Sequence, residues 1–132
     1  RFRQELSKCP GRNRIAALNT SDGTASLTFD PSANSSVQAL TLSGSTLYAG
    51  GLFTSIGGQS RNRIAALYTS DGTATLTFNP NASTDVSALA ISGSTLFIGG
   101  NFSSIGTSAM QGISSIDTSS DTLGFYDYIF AE

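Results

Sequence analysis

The sequence predicts an all-β protein made of repeated, four-stranded antiparallel units. Residues 12–56 align without a gap on residues 61–105, 49 positions later, and 31 of the 45 aligned pairs are identical. Each copy contains short apolar and β-branched runs that are separated by Gly, Pro, Asp and Ser. No segment has the 3.6-residue apolar period of an amphipathic helix. A repeat of this length is typical of architectures in which neighbouring units bury one another's faces.

The first half of each copy predicts a hairpin, shown here for the second copy. Residues 63–67 (RIAAL) form a compact apolar run, and Asp71-Gly72 follows it. Asp-Gly between two β-type runs predicts a type I′ turn, which needs positive φ at both central residues. Residues 73–78 (TATLTF) then alternate, which would place Ala74, Leu76 and Phe78 on one face of a strand. Pro80 ends this strand, because proline cannot donate to a ladder.

The second half of each copy predicts two further strands and a set of turn glycines. Residues 86–92 (VSALAIS) lead through a Ser-Gly-Ser turn into residues 95–102 (TLFIGGNF). The Gly-Gly pair in the latter predicts close backbone approach, because no helix and no lysine follow it to make a phosphate loop. The predicted turn and strand-end residues are Asp22, Gly23, Gly44, Gly50, Gly51, Asp71, Gly72, Gly93, Gly99 and Gly100.

Four antiparallel strands in a 49-residue repeat match the size of one β-propeller blade. The stretches YAGGLFTSIGGQSRNRIAAL (48–67) and FIGGNFSSIG (97–106) resemble the kelch-like propeller repeats of large bacterial surface proteins. The resemblance covers about residues 11–118. In those families the paired glycines end the second strand of a blade. The chain has no Trp, so it is similar to the broader kelch-like group and not to kelch itself. The resemblance implies a repeated binding scaffold and carries no catalytic residues over.

Propeller order would make residues 86–92 the innermost strand of a blade and residues 73–78 the outermost strand of the preceding one. The chain then divides into a divergent lead-in (1–10), an outer half-blade (11–31), a full blade (32–80) and a degenerate last blade (81–132). The sequence match to the repeat ends after Asp121. Closed propellers have about four to eight blades, so two and a half blades cannot close as a single chain. A piece of a longer protein, a ring of several copies and an open β stack remain as alternatives.

Composition excludes several classes of function. The net charge of −2 and the pI near 4.8 argue against nucleic acid, which calls for a basic face. The absence of His excludes histidine catalysis and histidine metal ligation, and the single Cys9 cannot form an internal disulfide. No apolar run approaches the roughly 18 to 20 residues of a membrane helix. The Ser-, Thr-, Gly- and Asn-rich composition favours an extracellular or cell-surface bacterial protein.

Two groups of residues are candidate binding sites. Arg12 and Arg14 recur in the second copy as Arg61 and Arg63, and this arginine row could face an anion or a glycan. The alternative is a set of solvated loop cations that pair with nearby Asp. The C-terminal stretch GFYDYIFAE (124–132) is either an interface strand or the ordinary final strand of its blade. Its candidate interface residues are Phe125, Tyr126, Tyr128, Ile129 and Phe130.

The sequence predicts no cofactor, no metal site and no catalytic residue. Calcium takes about six to eight oxygen ligands, whereas each loop offers one carboxylate. The Ser and Thr hydroxyls lack an adjacent base, and no spacing singles out a carboxylate pair for glycoside hydrolysis. We therefore expect a non-enzymatic binding or interaction module of a surface or secreted propeller protein. A self-assembling ring or fibre subunit is the alternative, and a glycan-active enzyme fragment is a more distant one. The expected partners are missing blades, further copies of the chain, or a protein or glycan ligand.

Overall fold

The computed structural model describes residues 2–4, 13–118 and 122–123. These residues form thirteen β-strands and no helix, and every strand pairing is antiparallel, which confirms the all-β prediction. The strands are β1 (Phe2–Gln4), β2 (Ile15–Ala17), β3 (Val37–Ser43), β4 (Thr46–Gly51), β5 (Ser55–Ile56), β6 (Gln59–Ser60), β7 (Ile64–Tyr68), β8 (Val86–Ser92), β9 (Thr95–Gly100), β10 (Ser104–Ile105), β11 (Ser108–Ala109), β12 (Ile113–Asp117) and β13 (Thr122–Leu123).

Three main sheets follow one another along the described chain. The first sheet is β1-β2, the second has the order β3-β4-β7, and the third has the order β8-β9-β12-β13. In both the second and the third sheet, the first strand of the unit lies at one edge and the next two long strands follow it in order. Two short hairpins, β5-β6 and β10-β11, lie in the connections after β4 and β9. The sequence did not predict them, because two-residue strands have no usable periodicity.

The three sheets share one pairing register. Tyr48 pairs with Ala66 in the second sheet, and Phe97 pairs with Ser115 in the third, 49 positions later. In the first sheet Phe2 pairs with Ala17, the repeat equivalent of Ala66. Strand β1 therefore stands beside β2 as β4 stands beside β7 and β9 beside β12.

The predicted outermost strand at residues 73–78 is wrong. Ala74 makes a single bridge to Leu67, and Leu76 is 74% exposed whereas Phe78 is 4% exposed. The first copy behaves in the same way, with Ala25 bridged to Leu18. In the second copy a side chain takes the place of a further ladder bond: the guanidinium of Arg61 donates to the carbonyl of Thr75 at 2.9 Å. That carbonyl is then occupied where strand pairing would continue.

In the third copy the outer segment does form a strand. Ile116 pairs with Leu123 in β13, which is the register of Leu67 with Ala74 in the second copy. The backbone thus keeps the 49-residue spacing as far as Leu123, past Asp121, where the sequence match ends.

Strands β4 and β7 of the second sheet are buried on both faces, because alternate residues of each strand belong to two different cores. Leu47 and Ala49 of β4 lie in a first core, shared with the first sheet, whereas Tyr48 lies in a second core, shared with the third sheet. The first core contains Ile15, Ala17, Phe29, Ala33, Val37, Leu47, Ala49, Phe53, Ile56, Ala65, Leu67 and Ala74. The second contains Tyr48, Ile64, Ala66, Phe78, Ala82, Val86, Leu96, Ile98, Phe102, Ile105 and Ile116. Each sheet therefore supplies the cover that its neighbour needs.

The Asp-Gly turns connect neighbouring segments of the sheet edge, but they are not type I′. Tyr68 N donates to the Thr73 carbonyl at 2.9 Å, and Gly72 N donates to the Tyr68 carbonyl at 2.8 Å, which closes a loop of residues 69–72. Of the two central residues only Gly72 has positive φ, at 81°. Asp71 is held differently, because its Oδ1 accepts hydrogen bonds from the backbone N–H and the hydroxyl of Thr73. Asp22 and Gly23 repeat this arrangement in the first copy.

Candidate functional site

The paired glycines end β4 and β9 where the backbone of the preceding segment crosses them. A Cβ on Gly51 would lie 2.1 Å from the carbonyl oxygen of Ser36, and one on Gly100 would lie 2.2 Å from that of Asp85. Neither distance leaves room for a methyl group. Gly51 and Gly100 therefore allow two backbone segments to cross in close contact, which is a structural role and not a ligand-binding one.

Gly50 and Gly99 occupy equivalent positions but differ in their surroundings. A Cβ on Gly50 would lie 2.7 Å from Cγ1 of Val86, which belongs to the third sheet. On Gly99 the nearest described atom would be the Cβ of Ala88, at 3.6 Å, an ordinary van der Waals contact. The contact between sheets at Gly50 therefore has no counterpart at Gly99 among the described residues.

Arg61 is buried, contrary to the expectation of a solvated loop cation. Its side chain is 6% exposed, and it donates to the carbonyl oxygens of Ser60 at 2.7 Å and Thr75 at 2.9 Å. The Nε atoms of Arg61 and Arg63 are buried with no partner among the described residues. The equivalent of Arg61 in the third copy is Met110, which packs against the second core. Arg61 therefore joins two segments of its own unit, and its guanidinium group is buried away from solvent.

The second arginine of each Arg-Asn-Arg stretch has a backbone conformation that residues other than glycine rarely adopt. Arg14 and Arg63 have φ of 69° and 68°, and the third copy has Gly112, with φ of 81°, at this place. The Nη1 of Arg14 donates to the Ala33 carbonyl at 3.1 Å. Arg12 lies outside the described residues. Among the three arginines that the structure describes, Arg61 is buried and Arg14 and Arg63 are half-buried, so these three do not form a continuous exposed row.

We expect Arg61→Met to leave the free energy of unfolding within about 1 kcal/mol of the parent chain. The substitution keeps the volume, removes a buried cation and installs the residue that the third copy uses. Arg61→Ala, in contrast, should cost about 2 to 3 kcal/mol, because it loses the same two guanidinium bonds as Arg61→Met and also leaves a cavity. Urea titrations of the two variants would test this. An equal loss in both would show that the guanidinium bonds, and not the packed volume, carry the effect.

Neutral polar side chains form hydrogen bonds between the segments that flank two of the strand pairs. They join the segment before β3 to the segment after β4, and the segment before β8 to the segment after β9. The Oδ1 of Asn34 accepts from the backbone N–H groups of Thr54 at 2.8 Å and Ser55 at 3.1 Å. In the next unit the hydroxyl of Ser83 accepts from Ser103 and Ser104 in the same way. The amide of Asn34 and the hydroxyl of Ser83 therefore hold chain segments together, and these hydrogen bonds are made within the chain.

In each of the two Asp-Gly loops, one oxygen of the Asp carboxylate accepts two hydrogen bonds from the following Thr. The backbone N–H of Thr24 and then its hydroxyl lower the pKa of Asp22 below its ordinary value. Thr73 lowers the pKa of Asp71 by the same two contacts. Both groups face solvent and cap their own turns. Among the described residues no three acidic or cysteine side chains converge where a metal ion could bind.

The surface of the described residues includes shallow grooves and a few exposed apolar residues. One groove, of about 580 Å³, lies between units and is lined by Asp30, Pro31, Ser32, Ser55, Ile56, Gly58, Gln59 and Ser60. The other, of about 230 Å³, is lined by Ala17, Leu18, Asn19, Thr20, Ser26, Phe29 and Thr69. Leu27 is 91% exposed and Leu76 is 74% exposed, at equivalent positions of two units. The candidate interface residues Phe125, Tyr126, Tyr128, Ile129 and Phe130 lie outside the described residues.

The chain matches no known family model, and neither the curated proteins nor the solved structures give a significant match. The part of the chain that the structure describes contains no helix able to span a membrane.

Proposed function

We propose that this chain is a repeat scaffold of the kelch-like β-propeller type, in which each sheet is one blade. It would serve as a binding or interaction module of a surface or secreted protein, without enzymatic activity of its own. One observation carries the proposal: strands β4 and β7 of the second sheet are covered on both faces by the neighbouring sheets, and equivalent residues make these contacts. Ala33 and Val37 pack against the first sheet as Ala82 and Val86 pack against the second. A unit of this kind gains its stability from its place in a series.

The hydrogen bonds made by polar side chains of the described residues support a scaffold role. The hydroxyls, amides and guanidinium groups at the junctions are bonded to the backbone of the same chain. Binding would then use loops at one end of the blades, where protein or glycan partners can be contacted without disturbing the stack.

Insertion of a second copy of residues 32–80 between Pro80 and Asn81 tests the scaffold proposal. If the units are modular blades, the longer chain should unfold in one cooperative transition, and it should be more stable than the parent because it gains an interface between units. A flexible Gly/Ser insert of equal length is the matched control, and it should not raise the melting temperature. A separate low-temperature transition for the inserted copy would contradict the proposal.

Self-assembly is the second candidate, and the contrast between Gly50 and Gly99 favours it. The second sheet has Val86 against Gly50, whereas no described residue closes in on Gly99 in this way. A further copy of the chain could supply such a neighbour. Light scattering behind a sizing column, over a concentration series, separates the two candidates. A fixed multimer supports self-assembly as the function, and a monomer at all concentrations excludes it.

A further inference from the structure

The edge of the first sheet differs from those of the other two. In the second sheet β4 is flanked by β3 and β7, and in the third sheet β9 is flanked by β8 and β12. Within the described residues, β1 is flanked by β2 alone. The strand that is paired here with only one neighbour is the one that has two neighbours in both other sheets.

The registers fix how β1 is oriented. Gln4 pairs with Ile15 as Gly50 pairs with Ile64 and as Gly99 pairs with Ile113. Gly51 N donates to the Arg63 carbonyl on the β7 side. Backbone groups alternate between the two sides of a strand, so those of Gly50 and Tyr48 face β3. By the same register, the N–H and C=O groups of Phe2 and Gln4 face away from β2.

The strands that occupy this position elsewhere have closely similar sequences. They are VQALTLS in β3 and VSALAIS in β8, and both are followed by Gly-Ser-Thr. Both also contain a register shift after their first residue, between Val37 and Ala39 and between Val86 and Ala88. Main-chain hydrogen bonds supply the affinity when a strand is added to a sheet edge, and the alternate side chains supply the specificity.

We propose that the outer edge of β1 is a docking site for one extended strand with the sequence Val-x-Ala-Leu-x-Leu/Ile-Ser. The strand runs antiparallel to β1, and its residues equivalent to Ala39 and Thr41 pair with Gln4 and Phe2. The partner is a segment that carries the inner-strand sequence of this repeat. This inference stands on the pairing registers, and it holds whether or not the sheets are blades of a propeller.

The first test adds a synthetic peptide, SVQALTLS, to the full chain and follows backbone amide exchange at Phe2 and Gln4. The control peptide has proline in place of the threonine equivalent to Thr41, which removes a ladder donor. Saturating SVQALTLS should slow exchange at both amides about tenfold or more, because exchange then requires local opening. The proline peptide should leave exchange unchanged. No slowing by SVQALTLS, or equal slowing by both peptides, overturns the proposal.

The second test joins the strand to the chain. Fusing SVQALTLSGST directly before Arg1 recreates the connection from β3 to β4, because Phe2 occupies the position of Tyr48. The fusion should raise the melting temperature by about 3 to 8 °C, and the same fusion with proline at the Thr41 equivalent should not. A melting temperature that does not rise with the native fusion overturns the proposal, independently of the peptide's solubility.

Discussion

Replacing Gly51 by alanine should lower the free energy of unfolding by about 3 kcal/mol or more, the upper range for overpacking. The added methyl group would lie 2.1 Å from the Ser36 carbonyl oxygen, so two backbone segments must separate. Domains of this size have a total stability of only about 5 to 15 kcal/mol. The variant is therefore expected to show a much lower midpoint in urea, or to be partly unfolded without denaturant.

Gly99→Ala is the matched control for this prediction. Its Cβ would meet the nearest described atom at 3.6 Å, and Gly99 is not among the residues with positive φ. The substitution should change stability by no more than about 1 kcal/mol, and it could raise it by restricting the unfolded chain. If Gly51→Ala and Gly99→Ala melt together, the close approach at Gly51 does not constrain the fold as described.

Replacing Phe78 by alanine should cost about 3 to 5 kcal/mol, whereas Leu76→Ala should change stability by less than about 0.5 kcal/mol. Phe78 is 4% exposed and packs edge-on to Tyr48, with ring centroids 5.4 Å apart. Leu76, two residues earlier, is 74% exposed. A regular strand would bury both on one face. Thermal unfolding of the two variants decides between a bent segment and a strand, and a large loss for Leu76→Ala would indicate a strand.

The sequence was sufficient to predict the inner part of each sheet. Residues 86–92 and 95–102 are joined by a short turn, and their apolar character and repetition reflect packing that recurs in each unit. The outer segment was mispredicted because TATLTF alternates clearly and has high β propensity. A local sequence pattern of this kind contains no information about tertiary contacts. One such contact is the bond from Arg61 to Thr75, between residues 14 positions apart.

The candidate site residues also divide into those whose role follows from residue type and those whose role depends on tertiary contacts. Close approach at Gly50, Gly51 and Gly100 could be inferred from the residue type, because few other roles suit two adjacent glycines at a strand end. At Gly99 the same inference fails, since the nearest described atom is at ordinary contact distance. The burial of Arg61 could not be inferred from its own copy alone. A signal was present in the third copy, where the equivalent residue is Met110. A position that alternates between arginine and methionine indicates an environment that accepts a long apolar stem.

The double burial of the second sheet has a consequence for how such a gene can change. Because alternate residues of β4 and β7 serve two cores, one inserted residue in either strand would exchange the two sets. Connections are free of this constraint: ten residues separate Gln4 from Ile15, whereas thirteen separate Gly50 from Ile64. In a gene that grows by duplication, the strands should therefore preserve the ancestral length and record common descent. The connections should record the divergence of individual copies.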